Sequence, residues 1–367
     1  MDFKKFFKKS RKFNILVLLL LIFTVPVALS GFVERGSGSG GGGQYSRSSA
    51  SSNNTTASGK IWVTNQGVGF PGTALYKSNI AELSASGAII GTYEVGLKPV
   101  AIAIDSSGNI WVVNEGDGII GTAIGDSNIT ELNSSGTVIG TYKAGVDPNA
   151  IAIDSSGNIW VANEGNGFVG TASFDSNVME LNSSGTVIGT YKAGVDPVAI
   201  AIDSSGNIWV VNYGDGFGMA SDNSNITELN SSGTLIGTYK VGVDPVAIAI
   251  DSHGNVWVAN EGNGTAGMAS DNSNITELNS SGAVIGTYKA GVYPVAIAID
   301  SHGNVWVANE GKGTVDSPSR DSNITELNSS GTLIGTYKVG TTISRLIAIE
   351  RSNNNGEYFP YNGPEWP

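Results

Sequence analysis

The sequence predicts an all-β chain folded as a six-bladed β-propeller. Each blade has four antiparallel strands, and a C-terminal strand closes the ring by joining the N-terminal blade. Three observations carry this prediction. Trp62, Trp111, Trp160, Trp209, Trp257 and Trp306 recur at intervals of 48 or 49 residues, and Tyr93, Tyr142, Tyr191, Tyr239, Tyr288 and Tyr337 keep the same beat. Each copy holds four short apolar or β-branched runs separated by turn chemistry, which is the arithmetic of a four-stranded blade. The two ends are complementary. The first copy, from Gly59-Lys60-Ile61-Trp62, lacks its first strand, and Leu346-Ile-Ala-Ile-Glu350 is a first strand without a blade.

Residues 1–30 read as an export signal or N-terminal anchor. Lys4, Lys5, Lys8, Lys9, Arg11 and Lys12 form a basic start, and apolar residues run from Ile15 to Leu29. That length suits a signal peptide better than a span of ~20 residues. Ala28 and Ser30 place small residues before a cut at Gly31. Residues 31–59 hold 8 Gly and 8 Ser and read as a flexible linker with a reach of ~30 Å. The chain is therefore expected to be exported: extracellular, at the cell surface or periplasmic.

Residues 60–350 form the expected propeller. In one copy, strand A is Ala150–Asp154, B is Ile159–Asn163, C is Val178–Asn182 and D is Thr186–Lys192. Asp-Ser-Ser-Gly-Asn and Asn-Ser-Ser-Gly supply the glycine and side-chain acceptors that tight hairpins want. Runs such as Val-Ala-Ile-Ala-Ile are apolar on both faces, as strands between two neighbours are. The repeated Trp is read as an inter-blade packing layer. Residues 351–367 are a tail whose aromatic residues would lie across one face of the ring.

Composition narrows the function. The chain has no Cys, so disulfides, thiol nucleophiles and thiolate metal sites are excluded. Formal net charge is −12, and without residues 1–30 it becomes −17. A surface this acidic, with no basic stripe, repels phosphate backbones, so nucleic acid is not an expected partner. A membrane is expected to be met only through the N-terminal segment, if it is uncleaved. Asn-x-Ser/Thr occurs ten times in the repeats, nine of them at the repeating positions Asn128, Asn133, Asn182, Asn225, Asn230, Asn274, Asn279, Asn323 and Asn328, and once more at Asn263. In an exported chain these are candidate glycan acceptors, and Asn-Ser-Ser-Gly is also good turn chemistry.

The phrase Pro-x-Ala-Ile-Ala-Ile-Asp-x-x-Gly-Asn-Ile-Trp-Val resembles NHL-type repeats, as in NHL propellers and streptogramin lyases (virginiamycin B lyase), over about residues 60–350. The resemblance implies the propeller fold. For a lyase it also implies catalytic His residues and a divalent metal near the central axis. His253 and His302 are this chain's only histidines, and both stand in A–B turns where sister copies carry Ser107, Ser156 and Ser205. They read as exposed turn residues, so no catalytic residue carries over.

Near-identical blades supply six copies of one group, whereas a reaction needs unlike groups in unlike roles. The expected function is thus a non-catalytic binding module, its partner an extracellular protein or glycan. A metal-dependent lyase- or lactonase-like enzyme and a structural cell-envelope protein are the alternatives. Copies differ most in the long Gly-rich B–C loops, which leave the ring on the same face as the Gly-Val-Asp-Pro connectors. The candidate ligand-binding residues on this rim are Asn114, Glu115, Asp117, Asn163, Glu164, Asn212, Tyr213, Asp215, Asn260, Glu261, Asn309 and Glu310. Their oxygens are of the type that holds Ca²⁺ or another divalent ion. The spacing matches no EF-hand or tandem Ca²⁺ repeat, and Lys312 sits where Asp117 does, so no cofactor is expected.

Overall fold

The computed structural model describes residues 60–65, 78–84, 88–116, 127–165, 176–214, 223–262, 272–311 and 322–339. These form six antiparallel sheets in chain order. The first has three strands, β1 (Ile61–Asn65), β2 (Asn79–Leu83) and β3 (Ile89–Glu94), and the other five have four each. In the second blade these are β4 (Pro99–Ile104), β5 (Ile110–Asn114), β6 (Asn128–Leu132) and β7 (Val138–Lys143), hydrogen-bonded in that order. From the second blade to the sixth, strand A packs on strand A of the next, so these sheets follow one another around the axis with A innermost. The chain is an all-β, six-bladed propeller. The expected closing strand Leu346–Glu350, the N-terminal segment, the linker and the tail lie outside the described residues.

Strand A begins at Pro148 rather than Ala150. A register shift between Pro148 and Ala150 sets it there, because Pro has no N–H to give and tolerates a bulge at a strand start. Alternate residues of strands A, B and C face opposite neighbours. Trp111 and Val113 pack with Ile151, Ile159 and Leu181 of the third blade, while Ile110 and Val112 pack with Trp62 and Ile80 of the first. The core is thus a set of layers between blades. The outer face of the sixth blade differs. Among the described residues its cluster is Val295, Ala296 and Ala308, Trp306 is partly exposed, and Tyr337 is 44% exposed.

One network joins consecutive blades from the second to the sixth. In the third blade, the indole N–H of Trp160 donates to Asp154 Oδ2 at 3.1 Å. Asp154 also accepts from the backbone of Ser156 and Asn158 and from Asn158 Nδ2, which sets the A–B turn. Trp160 stacks on Tyr191 at 5.4 Å, and the Tyr191 hydroxyl donates to Glu180 Oε2 at 2.7 Å. The Tyr191 ring then covers Gly233 in the C–D turn of the next blade. A Cβ there would stand 1.9 Å from Tyr191 Cε1, and φ is +75°. Only glycine fits that turn.

Burial, and then the Glu contact, push the hydroxyls of Tyr142, Tyr191, Tyr239 and Tyr288 up to about 12. Between pH 10 and about 12 the folded chain keeps protons that the unfolded chain has released, so stability falls across that window. A melting series over pH 9–12 should show this fall, and Tyr191→Phe should make it shallower. An unchanged pH profile in the variant would remove the tyrosines as its cause.

Candidate functional site

Connectors and B–C loops meet at the end of each blade where strand A starts and strand B stops. The connector residues Lys98, Asp147, Asp196, Asp244 and Tyr293 all have φ between +48° and +54°, a conformation uncommon in side-chain-bearing residues. This turns two successive carbonyls toward the root of the loop. The Glu115 N–H donates to Lys98 O and the Gly116 N–H to Leu97 O, both at 3.0 Å, and the four later blades repeat the pair. On the far side of the loop, Ser127 Oγ donates to Glu115 O at 2.6 Å, with equivalents at Ser176, Ser224, Ser273 and Ser322. Both roots of every later B–C loop are therefore fixed by hydrogen bonds that do not depend on the loop's sequence.

Asn114, Asn163, Asn212, Asn260 and Asn309 belong to these roots. All five are fully buried. The B–C register sets Asn114 opposite Asn128, and its Nδ2 donates to Asn128 Oδ1 and Thr130 Oγ1, each at 3.0 Å. The connector glycine seals the other side, where a Cβ on Gly145 would come within 2.4 Å of Asn163 Cγ. In this structure the five Asn are buried and hold the loop roots through their side-chain amides. Asp117 and Asp215 lie outside the described residues.

The remaining candidates, Glu115, Glu164, Tyr213, Glu261 and Glu310, stand side by side with the connector residues, and each blade gives its member a different neighbour. Lys98 Nζ lies 3.5 Å from Glu115 Oε1. Asn149 Nδ2 donates to Glu164 Oε2 at 2.6 Å. Tyr213 packs against the layers on both sides of the fifth blade. Tyr293 has a buried hydroxyl, and burial together with the carboxylates of Glu261, Glu310 and Asp244 holds its proton on well above the usual phenol range. Lys98, Asn149, Asp244 and Tyr293 were not among the residues expected from sequence. The signal was there, in a connector position that reads Lys, Asp, Asp, Asp, Tyr while the strands around it repeat.

His253 and His302 take the exposed turn positions the sequence predicts; the His253 side chain is 76% exposed. They occupy the opposite end of the blades, a strand length of ~20 Å from the connectors. Among the described residues no group of three His, Asp or Glu is placed to hold a metal ion, and no helix is long and apolar enough to cross a membrane.

No protein-family model matches the sequence, and no curated protein matches it either. Solved structures do. A streptogramin B lyase superposes with a TM-score of 0.59 at 19% identity, covering 82% of this chain and 84% of the other. Virginiamycin B lyase from Staphylococcus aureus gives 0.56 at 17% identity, over 81% of this chain and 84% of that one. A catalytically inactive form of that enzyme, solved with quinupristin, gives the same values. The likeness is one of fold. It matches the propeller that the repeat predicts, and it assigns no residue of this chain a role.

Proposed function

We propose that the protein is an exported, non-catalytic propeller that binds an extracellular protein or glycan at its connector face. One observation carries this reading. Blades that repeat almost residue for residue diverge at the connector and at the first loop position, and the fold gathers those positions at one end of the ring. Fixed loop roots beneath variable loops suit recognition, since the scaffold leaves only the loop to be ordered on binding. Carboxylates and two tyrosines favour a partner rich in cationic or hydroxyl donors.

The test is a binding screen of the intact chain against extracellular proteins and a glycan panel, repeated with Glu115, Glu164, Glu261 and Glu310 all changed to Gln. Loss of at least ~10-fold in affinity is expected, because close charge pairs at interfaces couple by more than 1.4 kcal/mol. Binding that survives the quadruple change unaltered would move the site elsewhere.

The fold likeness to streptogramin B lyase favours a second reading, a metal-dependent lyase. It would replace the first if the purified chain retained one divalent ion through dialysis against chelator and consumed quinupristin.

A further inference from the structure

The outer strands carry a feature the binding reading does not use. A register shift between Glu131 and Leu132 sets Leu132 opposite Val138 and Glu131 opposite Gly140, leaving Ile139 as an extra residue. The bulge breaks the alternation of strand D, so two successive aliphatic side chains face out. The pairs from Val138-Ile139 to Leu333-Ile334 are 45–59% exposed in five consecutive blades. A belt of aliphatic pairs around a ring calls for a cover.

The turn leading into each pair holds an Asn-Ser-Ser acceptor sequence. At the second blade, Asn133 Oδ1 accepts from the N–H of Ser135 and Thr137 at 3.0 Å and from Ser135 Oγ at 2.7 Å. Asn182, Asn230, Asn279 and Asn328 repeat this set, with hydroxyl contacts of 2.7–3.2 Å. The amide is thus held through its oxygen alone, and among the described contacts Nδ2 of these five makes no hydrogen bond. Four other acceptor sequences start strand C. There Asn128, Asn225, Asn274 and Asn323 accept through Oδ1 from the buried Asn of strand B, and Asn225 and Asn274 donate through Nδ2 to the backbone of residues 223 and 272. A sugar on these would disturb the loop roots.

We propose that Asn133, Asn182, Asn230, Asn279 and Asn328 carry N-linked glycans whose first sugars cover the aliphatic belt, one per blade. The donor is an oligosaccharide linked through phosphate to a lipid. Nδ2 forms a bond to the anomeric carbon as that carbon's bond to the phosphate oxygen breaks. Nδ2 gives up one proton, and the lipid phosphate leaves with the electron pair. The first blade is a built-in control. It has Ser84-Ala-Ser in place of the acceptor, and its Ile89 is the most exposed large aliphatic residue among the described ones, at 71%. The inference shares only export with the binding reading, so a glycan-free chain that still binds through its connector face would separate the two.

The experiment uses the full chain recovered from the envelope or medium of the host that makes it. An amidase that cleaves the Asn–sugar bond is applied in heavy-oxygen water, followed by trypsin and mass spectrometry. The lysines that end strand D, Lys143 to Lys338, separate the blades, so each peptide reports one turn acceptor. Heavy-oxygen Asp is expected at the five turn positions and absent from the four strand positions. In Ser184→Ala, only the peptide ending at Lys192 should lose its sugar. Deglycosylated chain should bind more apolar dye and self-associate. Five unmodified turn residues, or sugars on the strand residues instead, would overturn the assignment. Unchanged dye binding after deglycosylation would overturn the covering role.

Discussion

Trp209→Ala should cost about 3–5 kcal/mol, as a large buried aromatic does when its cavity cannot collapse. Trp209 is fully buried between the fourth and fifth blades, among Val198, Val211, Val256 and Leu278. It also donates to Asp203 Oδ2 at 3.1 Å and stacks on Tyr239 at 5.6 Å. The change therefore removes packing, one of the four donors that hold the A–B turn, and the support of the ring that crosses to the next blade. Trp209→Phe separates these contributions. It keeps the stack and most of the apolar contact but loses the N–H, and should cost about 1 kcal/mol beyond the area it gives up. The measurement is the denaturant midpoint of both variants beside the parent. Equal losses in the two would mean that the hydrogen bond, not the packing, fastens the turn.

A chain ending at Gly340 should lose cooperative unfolding and self-associate. Among the described residues the first sheet has three strands, and β1 has no neighbour on the side where every other blade has strand A. Ile61 on β1 is 42% exposed, and Tyr337 on the last strand of the sixth blade is 44% exposed. Leu346-Ile-Ala-Ile-Glu350 matches the missing strand in composition and length. Removing it leaves a sheet edge with unpaired backbone groups and a blade face without a partner, and each is a template for association between chains. Ile347→Asp with Ile349→Asp in the full-length chain makes the same test without truncation. Light scattering and thermal melts decide. A monomer with an unchanged melt in both variants would mean that the ring does not depend on this segment.

Architecture was legible because repetition multiplies every local signal. One Trp or one Ser-Ser-Gly says little, but six in step set blade number, strand number and turn position. Strand B was read to the residue as Ile159–Asn163, since a Gly turn and a buried Asn bound it. The start of strand A was read two residues late, because the bulge after Pro148 is a property of pairing and not of composition.

The candidate site was less legible. The sequence alone determined that glutamates and a tyrosine follow strand B and that the chain's two histidines belong to turns. Only the tertiary structure decided which neighbouring groups point where. Asn114 and Glu115 are adjacent and both polar, yet the B–C ladder turns the first into the sheet toward Asn128 while the second meets Lys98 across the connector. The outward Val-Ile pairs follow the same rule. Alternation predicts one residue in and one out, and a single extra residue against strand C places both outside. Side-chain type is written in the chain, but the face a side chain takes is set by register, and register is fixed only when strands distant in sequence pair.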